Sequence, residues 1–478
     1  MKYRPIVYVH GYAGKPGSLG PEDELDPYCG WNTGRRYNLP EEWDSYSDTT
    51  RDFEGFVTRL WKDYGYRDTL NNPDLTAPGL TSPEDKARTI WIFRYYEKIS
   101  TWQKMLKAKN GDEQYEKRQY YEREVLGNAA IKEAGFDRLQ SLTGIPQYAV
   151  MLADEVINHI LRTTGAEEIF LVAHSMGGLI SRFAIQYDIF GFRTKVAKFL
   201  TLATPHGGAS VANILLVKKL VNPGARDLEH LDPDWVRPKL GGISVDDTKF
   251  INKDDCYCVV GCNYKDYEIL KEVAGCASDG LVRQDEAAID GVGNTCVYCT
   301  HSSIMNSREP YEIAVGFLFG DTRLTITLAE AQFKGKQKRA NYEHSEKRYS
   351  FCYSLKVAGS SLNVICARNG NVDHTATAEQ IQKRIQSPGY VLYDGFLDSA
   401  CISVNNRAED SKTALTVNLE FECMEYDKST QDGPQGEKEK KKPPITVQYD
   451  PNGDPVKTEK YETGLFAFVF RFEFSKRS

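Results

Sequence analysis

The stretch IFLVAHSMGGLISRF, residues 169–183, changes its hydrophobic period at a single serine. Up to Ala173 the apolar residues run without a break, as in a buried strand. From Met176 onward they recur at helical spacing. A chain with this pattern has to turn sharply from strand to helix at Ser175. The residues two before and two after that turn must be small, because larger side chains would collide, and here they are Ala173 and Gly177. The pattern is A-x-S-x-G rather than the commoner G-x-S-x-G. Such a corner lifts the hydroxyl clear of the sheet. The start of the helix also aims backbone N–H groups at any negative charge that develops nearby.

The surroundings of the corner define the fold class. PIVYVHG (5–11), RTIWIFRYY (88–96), EIFLVAHS (168–175), VAKFLTLATP (196–205), CYCVVGC (256–262) and TCVYCTH (295–301) read as short strands. IPQYAVMLADEVINHILRTTG (145–165) reads as a helix ending at a glycine, and MGGLISRFAIQYDI (176–189) as another. Strands alternating with helices predict a mostly parallel sheet with helices on both faces. Residues 101–134 are highly charged and predict a solvated surface helix. After about residue 320 the pattern becomes short β-rich runs separated by turns, about eight in all, which predicts an all-β sandwich of jelly-roll or C2-like type. Asn452-Gly453 between two extended stretches predicts a hairpin. A chain of 478 residues suits two domains, expected at 1–320 and 321–478.

A serine needs a base, and the base needs an orienting acid. At a corner of this kind both follow the serine in the chain. Four of the eight histidines lie well beyond it, outside the strand that carries TLATPHGG. His344 and His374 fall in the β-rich tail, and His230 lies in a charged, proline-bearing segment. His301 directly follows the last parallel strand, where a loop at the C-terminal edge of the sheet carries such a base. Asp279, in GCASDGLVRQDE, is the candidate acid, and Asp285 is its rival in a polar turn. Two N–H groups must stabilise the oxyanion. Met176, directly after the serine, supplies one, and the loop after the first strand supplies the other, assigned to Tyr12. His10 reads as a residue that holds this loop, and His174 as one that points into the turn.

VYVHGYAG, VAHSMGG, TLATPHGG, SDGLV and the histidine after the last strand, in this order, resemble the lipase and esterase branch of the α/β-hydrolase superfamily. The alanine before the serine is similar to that of Bacillus-type lipases, and TLATPHGG to a motif of inositol-deacylase-like lipases. The resemblance covers roughly residues 1–320, with an insertion at about 12–150. It implies ester hydrolysis without a cofactor or metal, on a lipid or acyl ester. It also implies a cap at about 207–252, where SVANILLVKKLV (210–221) would be a lining or packing helix. Acyl transfer, a short-chain or polymeric ester, and a catalytically dead interaction protein are the other readings of the same residues.

Composition limits the partners. The net charge of −7 gives no support for nucleic-acid binding through an overall field. No run of 18 apolar residues marks a membrane span. The chain starts directly in a strand, so a cleaved leader is not expected within it. The eleven cysteines, six of them between Cys256 and Cys299, lack the paired spacing of a zinc site and predict buried, reduced thiols. The β-rich tail could bind a membrane surface, a glycan or a protein, or only brace the catalytic unit. The aspartates of QYDPNGDPV do not match an EF-hand calcium loop.

Overall fold

The computed structural model describes residues 3–12, 54–69, 75, 80–209, 226–263, 278–333, 347–357, 363–368, 376–387, 389–397, 415–427, 443–449, 454–463 and 466–476. Internal contacts divide the chain into two units, Met1–Tyr311 and Glu312–Ser478.

Among its described residues the first unit is built on seven strands: β1 (Ile6–Val9), β2 (Arg67–Asp68), β3 (Thr89–Phe93), β4 (Ile169–His174), β5 (Val196–Leu202), β6 (Cys256–Gly261) and β7 (Gly293–Val297). They lie in the order β2-β3-β1-β4-β5-β6-β7, and every neighbouring pair is parallel. β1, β4 and β6 are buried at every residue. Successive strand residues face opposite sides, so burial of all of them requires both faces of the sheet to be covered. This explains the unbroken apolar runs of the sequence. Each large apolar side chain so buried contributes about 1.5–3 kcal/mol relative to exposure.

The helix at Ile145–Asp154 continues through a π-helical stretch, Glu155–Ile160, to Thr164 and ends at Gly165 with φ 71°. A glycine takes this left-handed cap conformation without a Cβ penalty, which is why it ends the helix here. Residues 101–134 depart from expectation. They form three helices, Ile99–Lys107, Tyr115–Gly127 and Ala129–Glu133, rather than one solvated helix. Trp102, Met105, Tyr121, Val125 and Ile131 are buried in the main core. Charged residues outnumber these apolar anchors and mask their spacing. Lys117 and Arg118 show how charge is tolerated there, since each pairs with a carboxylate, Asp154 and Glu122 respectively, at the rim.

Among the described residues the second unit contains two antiparallel sheets. One has the order β12-β8-β16-β15, from β8 (Thr322–Phe333), β12 (Tyr390–Leu397), β15 (Val456–Glu462) and β16 (Phe466–Lys476). The other has the order β10-β9-β13-β14, from β9 (Lys347–Val357), β10 (Asn363–Arg368), β13 (Leu415–Asp427) and β14 (Ile445–Tyr449), with β11 (Ala376–Thr377) paired to β9. β8 alternates buried and half-buried residues over most of its length, the pattern of a sheet with one inner face. Phe421 of β13 meets Phe468 and Phe470 of β16, with ring centres 5.3 and 4.8 Å apart, so the two inner faces form a sandwich core.

Two expectations for this tail are corrected. Among the described residues, β14 and β15, which flank Asn452-Gly453, do not pair with each other. β14 pairs with β13 and β15 with β16, so the chain crosses between sheets rather than forming a hairpin. The dipeptide itself lies outside the described residues. The tail is also not purely β. Ala378–Gln386 is a helix, started by a capping box in which Thr377 and Gln380 each bond the other's backbone N–H.

Candidate active site

β4 ends at His174, and Ser175 follows with φ 51° and ψ −126° before the helix Met176–Gln186 begins. A non-glycine residue at positive φ is strained and needs its surroundings to hold it. Ser175 N–H donates to the Leu202 carbonyl at 3.0 Å, and Gly178 N–H donates to the Ser175 carbonyl at 3.0 Å. The small residues are set by contact. A Cβ on Gly177 would run into the carbonyl oxygens of Val9 and His10, and one on Gly178 into Thr204. A Cβ on Gly11 would lie 2.8 Å from His174 Nδ1 and 3.0 Å from Ser175 Cβ. The loop after β1 therefore lies directly against the serine.

Ser175, His301 and Asp279 form one chain of hydrogen bonds. Ser175 Oγ lies 3.0 Å from His301 Nε2, and His301 Nδ1 lies 2.8 Å from Asp279 Oδ2. All three side chains are buried. Asp279 Oδ1 accepts the backbone N–H groups of Leu281 and Val282 at 2.9 and 2.7 Å, so both oxygens of this buried carboxylate are occupied. His301 N–H donates to the Asp279 carbonyl, which ties the two loops together. The sheet brings them there: β6 and β7 are neighbours, and a Cβ on Gly261, at the end of β6, would meet Asp279 Cβ at 2.7 Å. A carboxylate only accepts, so Nδ1 of His301 carries the proton and Nε2 is left to accept from the serine. Asp285, the rival acid, is paired with Arg283 at 2.6 Å on the surface.

The other described histidines have different partners. His174 Nε2 donates to the His301 carbonyl at 2.9 Å, a contact between the strand that leads into Ser175 and the loop that carries His301, which sequence reading did not identify. His10 Nδ1 lies 2.7 Å from the Gly11 carbonyl. His230 Nδ1 accepts the Ile145 N–H, and its ring stacks on Trp235. His206 reaches Thr201 Oγ1 at 3.1 Å. His344 and His374 lie outside the described residues.

Burial pushes His10 down to about 4, His174 well below its usual value, and His206 down as well. These rings are neutral when folded, whereas the unfolded chain takes up their protons below about pH 6.5. Their stabilisation is therefore complete above about pH 6.5 and is lost as pH falls toward 4. His10 alone accounts for about 3 kcal/mol over that range. The expected outcome is a urea midpoint that drops steeply between pH 7 and pH 5. A constant midpoint over that interval would contradict these protonation states.

The two oxyanion candidates flank the serine. Met176 opens the helix, so its N–H has no carbonyl four residues back within the helix to donate to. The register Val9↔Ala173 places Gly11 level with Ser175 and Tyr12 one residue beyond. Of residues 207–252, expected as a cap, 210–225, including SVANILLVKKLV, lie outside the described residues. The part from Arg226 to Asn252 contains the helix Pro233–Leu240. It is tied to the serine-bearing helix by the fully buried Arg182, which donates to the carbonyls of Leu240 (2.6 Å), His206 (3.2 Å) and Ser244 (3.3 Å). Among the described cysteines six form no disulfide. Cys256, Cys258 and Cys299 are buried, but Cys296 is exposed and Cys262 half-buried, which corrects the expectation that these thiols are uniformly buried. Cys296 sits on β7, whose residues alternate toward solvent before Val297. No cluster of metal-ligating residues occurs among the described residues.

Comparison with known proteins adds to this geometry. Residues 106–225, which include the serine corner, match the family described as "Putative serine esterase (DUF676)". No curated protein matches the chain. Among solved structures, the propeptide form of the Bacillus licheniformis lipase BlEst2 aligns over 94% of this chain and 94% of its own, at 10% identity and a TM-score of 0.35. Its mature form aligns over 37% of this chain and 75% of its own, at 17% identity and 0.31. The phospholipase PlaB from Legionella pneumophila aligns over 90% and 86%, at 11% identity and 0.34. None of these alignments carries a residue role to this chain. The parallel sheet with its strand–serine–helix corner has the α/β-hydrolase fold, and by sequence the chain resembles the lipase and esterase branch of that superfamily.

Proposed function

We propose that this protein is a serine hydrolase that cleaves carboxylic esters through an acyl-enzyme. The observation that carries the reading is the unbroken chain from Ser175 Oγ through His301 to Asp279. His301 Nε2 takes the hydroxyl proton while Oγ attacks the ester carbonyl carbon, and the carbonyl π pair moves onto oxygen. Asp279 stabilises the imidazolium and keeps its orientation. The N–H groups of Met176 and Tyr12 stabilise the oxyanion, where one such donor is typically worth about 2.7–4 kcal/mol. As the C–O bond breaks, His301 returns the proton to the leaving alcohol. Water then gives its proton to His301 and attacks the acyl-enzyme, and Ser175 leaves with a proton as the acid is released.

A lipid or other long-chain acyl ester is the proposed substrate, on the strength of the sequence resemblance; the family match over the serine corner supports an ester. The test is hydrolysis of p-nitrophenyl esters from two to sixteen acyl carbons. Turnover that rises with chain length is the expected result. A strong preference for the two-carbon ester would overturn the lipid assignment and leave a short-chain esterase.

A further inference from the structure

The ester-hydrolase reading needs the Tyr12 N–H to face the reaction, and a backbone N–H faces one direction only if its peptide unit is held. The Gly11–Tyr12 peptide is held by its other end. The Gly11 carbonyl oxygen accepts two hydrogen bonds, from Tyr95 Oη at 2.5 Å and from His10 Nδ1 at 2.7 Å. These use both lone pairs. In a planar trans peptide the N–H points opposite to the C=O, so the Tyr12 N–H is turned away from Tyr95. The same peptide begins at Gly11, where a Cβ would lie 2.8 Å from His174 Nδ1 and 3.0 Å from Ser175 Cβ.

Tyr95 reaches this carbonyl because β3 neighbours β1 in the sheet. The register Val9↔Phe93 places Tyr95 level with Gly11. Its ring is wholly buried, stacked on His10 at 4.2 Å and in contact with Tyr148 at 4.6 Å. A buried phenol hydroxyl needs an acceptor, and the Gly11 carbonyl is its nearest one. Turning the peptide over would take from the Tyr95 hydroxyl its shortest hydrogen bond, leaving it the longer one to the His10 carbonyl at 3.4 Å, and would take from His10 Nδ1 the Gly11 carbonyl inside the core, where a lost hydrogen bond is costly.

We propose that Tyr95 is a positioning residue for the oxyanion site: its hydroxyl, together with His10 Nδ1, fixes the Gly11–Tyr12 peptide so that the Tyr12 N–H is aimed before substrate arrives. This rests on the ester-hydrolase reading. The role differs from packing, because it belongs to one oxygen atom rather than to the ring.

The test compares Tyr95→Phe with the unaltered full-length chain on a p-nitrophenyl ester and with a trifluoromethyl ketone, which forms a tetrahedral adduct. The expected result is a fall in kcat of about 10- to 100-fold, less than outright removal of an oxyanion donor. KM should stay within about twofold. The inhibition constant of the ketone should rise in step with the loss in kcat/KM, while inhibition by the carboxylic acid product stays unchanged. Stoichiometric labelling of Ser175 by a fluorophosphonate in the unaltered protein checks the underlying reading separately. Labelling and turnover in that protein, with kcat and ketone affinity retained in Tyr95→Phe, would overturn the positioning role alone. So would a lowered thermal midpoint with kcat intact at low temperature. Absence of both labelling and turnover in the unaltered protein would overturn the ester-hydrolase reading and this inference with it.

Discussion

Ser175→Ala is expected to lower kcat on the order of 10⁶-fold, the scale on which loss of the nucleophile acts in a serine triad. Without Oγ no acyl-enzyme forms, and what remains comes from binding and the oxyanion donors alone. The fold should survive. The side chain's one hydrogen bond within the triad is to His301, and a net contribution of about 1 kcal/mol is all that such a bond supplies. Alanine adds no bulk at the corner where Gly177 and Gly178 are already in close contact. Parallel measurement of kcat and thermal midpoint checks both halves. A variant that keeps its midpoint and its activity would remove Ser175 from the chemistry.

Asp279→Asn is expected to cost about 10⁴-fold in kcat with little change in KM. The reason lies in the three donors around the carboxylate. Oδ1 accepts from the Leu281 and Val282 N–H groups, and Oδ2 accepts from His301. An amide has one acceptor oxygen. If it satisfies the two backbone groups, its NH₂ faces His301 Nδ1. That ring must then accept at Nδ1 and carry its proton on Nε2, the wrong tautomer for taking the serine proton. If the amide turns over, its NH₂ opposes two buried N–H groups, and stability falls instead by the cost of unsatisfied donors, about 1–3 kcal/mol each. Kinetics beside a urea unfolding curve separates the two. Near-normal kcat with unchanged stability would contradict the role assigned to Asp279.

Much of the first unit was legible because its signals are local. The change of period at Ser175, the small residues around it and the glycine ending the helix before β4 are all consequences of steric exclusion within a few residues. Asp279 and His301 were legible at one remove, since each follows a strand and the sheet then sets those strands side by side. What stayed hidden depends on contacts distant in sequence. Tyr95 sits 84 residues from the carbonyl it holds, and only the adjacency of β3 and β1 brings them together. The buried face of the helices between Ile99 and Glu133 was obscured by their abundant charge. In the tail, Asn452-Gly453 carried a strong local turn signal, but the pairing of β14 and β15 was decided by their partners β13 and β16. The helix Ala378–Gln386 did leave a local mark, the Thr377/Gln380 capping box, that the β-rich surroundings overshadowed.

The most direct test of the account is the mass of the protein itself during turnover. Mixing it with a p-nitrophenyl ester, quenching in acid and recording the intact mass should reveal an added acyl group, mapped by proteolysis to the peptide that carries Ser175 and absent from Ser175→Ala. Steady hydrolysis with no acyl adduct on rapid quenching, or an adduct on a different residue, would contradict an acyl-enzyme at this serine.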